Sequence, residues 1–197
     1  RARVVIAANR LHQLSRGSLD RFSPKTSVAK GGLFAPRPIH RLGGGFLLRK
    51  MPVAGPALAF GAAVSYGVEL PSDLQPSITI TGAGAPDSGL VEGYYELGVH
   101  PGLSYTWLRF WRQRLAAYAE LRAGYEFIAQ APRDQQSRFT SGFSYYGGLG
   151  LRFPIAGRFG GQVGLGAGGR LFELRYQGWD HRLDLQLTAS VVWRLSR

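Results

Sequence analysis

From Arg182 to Leu195 the chain sorts into two lists by parity. Leu183, Leu185, Leu187, Ala189, Val191, Trp193 and Leu195 fall on one side, and Arg182, Asp184, Gln186, Thr188, Ser190, Val192 and Arg194 on the other. Only an extended strand sends alternate side chains to opposite faces, so the pattern predicts a strand with one apolar and one polar wall. It is longer than an average soluble strand. The pattern recurs upstream. Phe159 to Leu171 sets Val163, Leu165 and Ala167 against Gln162, Gly164, Gly166, Gly168 and Arg170, and Phe143 to Ile155 sets Tyr145, Leu149, Leu151 and Phe153 against Ser144, Tyr146, Gly148, Gly150 and Arg152. Leu115 to Gln130 gives eight consecutive apolar alternates opposed to Tyr118, Glu120, Arg122, Glu126 and Gln130. Tyr95 to Trp107, with Glu96, His100 and Ser104 on its polar side, Leu58 to Leu70, with Glu69 on its polar side, and Leu42 to Val53 complete seven predicted strands.

An even number is needed for simple antiparallel closure, and Val4 to Asn9 is the best eighth candidate in the sequence. The predicted connections then alternate. Those near 54–56, 111–114 and 156–158 are short, and those near 10–41, 71–90, 131–141 and 176–181 are longer and polar or rich in Pro and Gly. Thr106 to Arg122 also fits a helical stripe through Leu108, Trp111, Leu115 and Ala119. The period-two separation of Glu120, Arg122 and Glu126 from Leu121, Ala123 and Tyr125 is cleaner, and favours the strand.

Composition then identifies the solvent. There is no run of 18 apolar residues, which excludes helical spans but not a barrel, where only every second residue needs to be apolar. The 197 residues fit one domain, expected to run 1–197 with clear barrel strands over 41–197. Residues 1–40 are expected to form a basic first strand and long loop, a plug, or a linker from a missing domain. The chain opens at Arg1 without a leader-like segment, which suits a mature protein, a trimmed one or the end of a longer chain. The net charge of +12 is concentrated at the front: residues 1–50 hold 11 Lys and Arg against the single acid Asp20. That suits solvated loop or contact with anionic headgroups, lipopolysaccharide phosphates or another polyanion. No basic helix or aromatic recognition motif accompanies the charge, so nucleic acid is not an expected partner.

The polar walls carry Glu69, Glu96, Glu120, Arg122, Glu126, Arg152, Arg170, Arg182, Asp184 and Arg194. If the apolar walls face lipid, these charges share a confined interior, where opposite signs are expected to pair. Glycines at Gly148, Gly164, Gly166 and Gly168 are expected to leave them room. Aromatics gather near strand ends: Tyr105, Trp107, Phe110 and Trp111 at one end, with Trp193 closing the last strand, and Tyr94, Tyr145, Tyr146, Tyr176 and Trp179 at the other. They predict two interfacial girdles.

Together these features predict an all-β fold, an eight-stranded antiparallel up-and-down transmembrane β-barrel. The arrangement resembles the small outer-membrane barrels of the OmpA/OmpX type, over roughly residues 41–197. The last strand is similar to that family's C-terminal assembly signal, with Leu185, Leu187, Ala189 and Val191 ending in Trp193. It departs from the family by continuing through Arg194, Leu195, Ser196 and Arg197. The resemblance implies residence in the outer membrane of a Gram-negative bacterium, among lipid and lipopolysaccharide, and leaves room for an envelope protein partner or a missing periplasmic domain.

Motifs for chemistry are sparse. Gly164 to Gly169 spells a dinucleotide fingerprint, but no helix is expected to follow it. The lipid A deacylases carry a His-x-Ser pair, and none of His12, His40, His100 or His181 is followed so by serine. Four strand residues place His100 and Ser104 about 13 Å apart, beyond hydrogen-bond reach. A triad drawn from neighbouring strands stays open, whereas His181 beside Asp184 and His100 beside Glu96 suit structural contacts. With four scattered His and no Cys, neither a metal nor another cofactor is expected. The expectation is a non-enzymatic barrel with a structural, anchoring or adhesive task, presenting loops 11–40 and 71–90. The alternatives are a lipid-modifying enzyme, a narrow anion-favouring channel, and a soluble lipocalin-like carrier.

Overall fold

The computed structural model describes residues 38–50, 58–86, 91–111, 114–132, 138–174 and 178–195; within these, the side chains of 91, 92, 132, 138, 173, 174 and 178–180 fall outside the described set. Eight strands follow one another: β1 (Ile39–Lys50), β2 (Leu58–Glu69), β3 (Leu74–Ala85), β4 (Val91–Phe110), β5 (Leu115–Pro132), β6 (Arg138–Ala156), β7 (Phe159–Leu174) and β8 (Gly178–Leu195). Each pairs antiparallel with its chain neighbours, and β1 also pairs with β8, so the sheet is a closed barrel without an edge. Closure leaves no strand with a free row of backbone donors and acceptors, the condition for placing a sheet in hydrocarbon.

The eighth strand is not where the sequence reading put it. Val4 to Asn9 lies outside the described residues, and β3 occupies most of the expected loop 71–90. Its outward alternates are Leu74, Pro76, Ile78, Ile80, Gly82 and Gly84, so only three large apolar side chains mark it. β1 and β8 join directly, from His40 opposite Leu195 to Lys50 opposite Leu185. The inserted strand shifts the parity of every earlier connection. The strand ends Lys50 and Leu58, which flank the turn expected near 54–56, lie opposite the 111–114 end, with Ala85, Val91, Pro132, Arg138, Leu174 and Gly178 (the loop end). The links 70–73, 111–114 and 157–158 share the other end with Ile39 and Leu195 (the turn end).

Among the described residues each turn-end link has one in the left-handed region: Asp73 at φ 63°, Trp111 at φ 50° and Gly157 at φ 54°. One such residue lets a short link reverse the chain within the right-handed twist of the strands. The helical alternative for 106–122 is not adopted: β4 runs through Phe110 and β5 starts at Leu115. The barrel hydrogen-bonds every strand to two neighbours, which a helix there would interrupt.

Side-chain facing follows parity around the ring. Phe46, Val64, Ile80, Leu97, Leu121, Leu149, Leu165 and Leu187, one from each strand in order, are all exposed. Register lines several of these up: Leu187 lies opposite Leu165 on one side and Leu48 on the other, and Leu165 lies opposite Leu149. The buried positions are instead mainly polar or charged, including Arg49, Glu96, His100, Arg122, Glu126, Arg170 and Asp184. A water-soluble protein does not expose so large a continuous apolar surface. Here the hydrophobic pattern is turned outward.

Candidate functional site

The interior is built in layers. In its loop-end half, Arg49 of β1 and Arg170 of β7 face Glu96 of β4, Glu126 of β5 and Asp184 of β8. The Arg49 guanidinium lies 2.5 Å from Glu96, 3.2 Å from Glu126 and 3.5 Å from Asp184. That of Arg170 lies 2.8, 2.9 and 3.3 Å from the same three carboxylates. Tyr94 donates to Glu96 at 2.5 Å and accepts from Arg170 at 2.6 Å. All five charged side chains are at most 3% exposed. A lone charge there would be costly, and mutual pairing offsets that cost. Planar guanidinium forks suit the task because each can face several carboxylates at once.

An apolar layer accompanies this cluster at the loop end, where Leu47, Ala59, Ala83, Ile128 and Phe172 gather with Tyr94. On the other side the interior is more open and more polar. Arg122 pairs with Glu120 at 3.0 Å and lies over the Tyr146 ring at 4.2 Å. Arg152 donates to Ser104 at 2.7 Å, Thr106 at 3.0 Å and Gln162 at 3.2 Å, and stacks over Tyr118 at 4.3 Å. At the turn end Arg41 pairs with Glu69, and Arg109 with Asp73.

Small inward residues make these side-chain layers possible. A Cβ on Gly148 would meet the Tyr146 ring at 2.7 Å, and one on Gly164 would meet the Tyr118 hydroxyl at 2.8 Å. The tyrosines lie across the barrel in the space that the glycines leave.

Of the ten charges read from the sequence, the structure brings Glu96, Glu126, Arg170 and Asp184 into one cluster. It pairs Glu120 with Arg122, hydrogen-bonds Arg152 to neutral groups, and leaves Arg194 exposed near the turn-end mouth. Glu69 and Arg182 are half-buried. The sequence reading missed Arg49, which faces three carboxylates, and Arg41. Both share the parity of Gly43, Gly45 and Leu47, opposite to Leu42, Phe46 and Leu48, and that parity was the available signal. Tyr94 and Tyr146, expected in the loop-side girdle, point inward instead: their hydroxyl and ring serve Glu96, Arg170 and Arg122. Tyr105, Trp107, Trp111, Tyr145 and Trp193 lie on the outer surface. Trp193 stacks on Phe159 and Tyr145 on His181. Tyr176 and the Trp179 side chain lie outside the described set.

The structure also brings together a serine, a histidine and a carboxylate. His100 Nε2 is 2.8 Å from Ser144 Oγ and 3.2 Å from Glu126 Oε1. A relay needs the serine on one ring nitrogen and the carboxylate on the other. Here both meet Nε2, while Nδ1 has no hydrogen-bond partner, and the serine is buried within the barrel. This is a polar packing contact. Among the described residues no group of three metal-ligating side chains converges.

These features define a small eight-stranded, all-antiparallel β-barrel of the OmpA/OmpX architectural type. Solved structures with this fold include Neisserial surface protein A, with a TM-score of 0.61 and 10% identity over 79% of this chain and 96% of that one. The N-terminal β-barrel domain of Pseudomonas aeruginosa OprF matches with a TM-score of 0.50 and 11% identity over 80% and 100% of the two chains. Ail, the attachment invasion locus protein of Yersinia pestis, scores 0.46 at 16% identity over 79% and 97%. No family model and no curated protein matches the sequence.

Proposed function

We propose that this chain is an integral protein of the Gram-negative outer membrane with a side-chain-filled lumen and a structural, anchoring or surface-interaction role. Its expected surroundings are outer-membrane lipid and lipopolysaccharide, with an envelope protein or a further domain as partner. The observation that carries this reading is the reversal of the hydrophobic pattern around all eight strands: exposed Leu, Val, Ile and Phe outside, ion pairs within. Strands of 9–11 residues, tilted, are enough to cross hydrocarbon, and β4 to β8 at 16–20 residues reach well beyond it.

The sealed lumen rests on the Arg49 and Arg170 cluster. The space beside it amounts to about 10 Å³, close to one water position and too small for a hydrated ion to pass. The charges therefore suit a plug better than a conduction path. The His100 geometry supports a non-enzymatic task. Refolding into planar phospholipid bilayers tests the proposal. Stable insertion without stepwise conductance is the predicted result; regular open currents would overturn the plugged lumen, and a chain that stays soluble without detergent would overturn the membrane assignment.

A further inference from the structure

We propose that the turn-end mouth of the barrel is a binding site for a small oxyanion, a phosphate or carboxylate group held by arginine forks. The inference goes beyond the role above, which assigns no ligand to the interior, and it does not depend on which side of a membrane the mouth faces. The mouth holds a recess of about 190 Å³ lined by Arg41, Arg109, Arg114, Arg152 and Arg194, with Glu69 as its single carboxylate. Glu69 is already engaged by Arg41 and lies 3.6 Å from Arg109, and Arg109 also holds Asp73. Among the described residues that line the recess, arginines therefore outnumber carboxylates five to one.

Two further relationships point to an anion. Arg41 and Arg194 are directly opposite each other in the β1–β8 register, an arrangement of like charges that is unfavourable unless something neutralises it. Arg152, deeper in the recess, makes its direct contacts with hydroxyl, amide and aromatic groups. A guanidinium whose hydrogen-bond partners are all neutral has no carboxylate in direct contact, and its planar donors match a phosphate or carboxylate in two-point contact. A narrow recess lined by one sign of charge also raises the local concentration of the opposite ion. Beyond Arg152 the interior narrows to a space of about 50 Å³ and then meets the ionic cluster, so the recess is blind. Its size suits a single anionic group with a few waters.

The test is calorimetric titration of the refolded barrel, in uncharged maltoside detergent at low ionic strength, with inorganic phosphate. A single saturable site is expected, weakened at least tenfold by Arg152→Gln and unchanged by Lys50→Gln at the opposite end of β1. Circular dichroism and heat-dependent gel mobility verify folding, and Arg194→Gln, at an exposed position, provides a second variant expected to weaken binding. Absence of saturable binding, or wild-type affinity in both arginine variants, would overturn the site. Nanodiscs of phosphatidylcholine with and without phosphatidylglycerol separate the two sources of phosphate. Phosphatidylglycerol retention that persists in Arg152→Gln, with no binding of inorganic phosphate, would assign the arginines to headgroups at the rim and refute the recess.

Discussion

Arg49 and Glu126 lie on strands half a turn apart around the ring, β1 and β5, yet their charged ends are 3.2 Å from each other. The contact runs through the middle of the barrel, and Arg49 also faces Glu96 and Asp184. Removing it leaves three buried carboxylates with Arg170 as their remaining close guanidinium. Arg49→Met is predicted to lower stability by about 3–5 kcal/mol, read by urea unfolding from phospholipid vesicles. Lys50→Met, one residue on and exposed, should shift the midpoint little.

The facing of β8 makes a second prediction. Leu187 lies outward between Leu48 and Leu165, and Ser190 lies inward, opposite Gln162. Leu187→Arg should cost about 2–4 kcal/mol if the side chain meets the bilayer midplane. Ser190→Arg should act through crowding and repulsion near Arg152, and so should depend on salt. Vesicle unfolding titrations at two ionic strengths distinguish the two. Equal and negligible effects would count against the facing.

Gly148 tests the tyrosine layer. The three atoms nearest to where its Cβ would stand all belong to the Tyr146 side chain, whose ring crosses the barrel beneath Arg122. Gly148→Val is predicted to displace that ring and cost about 1–3 kcal/mol by overpacking. Pairing it with Tyr146→Ala should recover part of the loss, a coupling that a double-mutant cycle measures.

Gly157 isolates backbone strain from packing. It has a φ of 54° and nothing near the position a Cβ would take, so Gly157→Ala should cost about 1 kcal/mol through conformation alone. Gly157→Asn should cost less, because asparagine tolerates the left-handed region better. Unfolding midpoints of the two variants give the comparison.

The strands that the sequence revealed best are those whose outward positions form an apolar run unbroken by Gly or Pro. β8 from Leu183 to Leu195 and β5 from Leu115 to Ala129 satisfy this, because lipid contact demands hydrophobic side chains there and nothing else competes. β3 was hidden for the opposite reason: Pro76, Gly82 and Gly84 occupy outward positions and mimic a loop. Pro76 is tolerated close to the start of the strand, where one missing donor costs little pairing. Ile78 and Ile80 between Ser77, Thr79 and Thr81 were the residual signal. In the interior, parity identified which charges face inward, but partners depend on how strands stagger around the ring, a quantity set by closure. Arg49 was missed because the glycines of β1 weaken its parity, and Tyr94 because an aromatic near a strand end suits a girdle and an interior equally well.

The central claim, that the oily face of every strand meets lipid while the charges are enclosed, is tested most directly along β8. The chain has no cysteine, so single cysteines placed from 183 to 191 carry a spin label at one known position each. In phospholipid bilayers, collision rates with oxygen should peak at 183, 185, 187, 189 and 191 and fall at the positions between. A flat profile, or one whose odd positions collide chiefly with a water-soluble relaxant, would contradict the account.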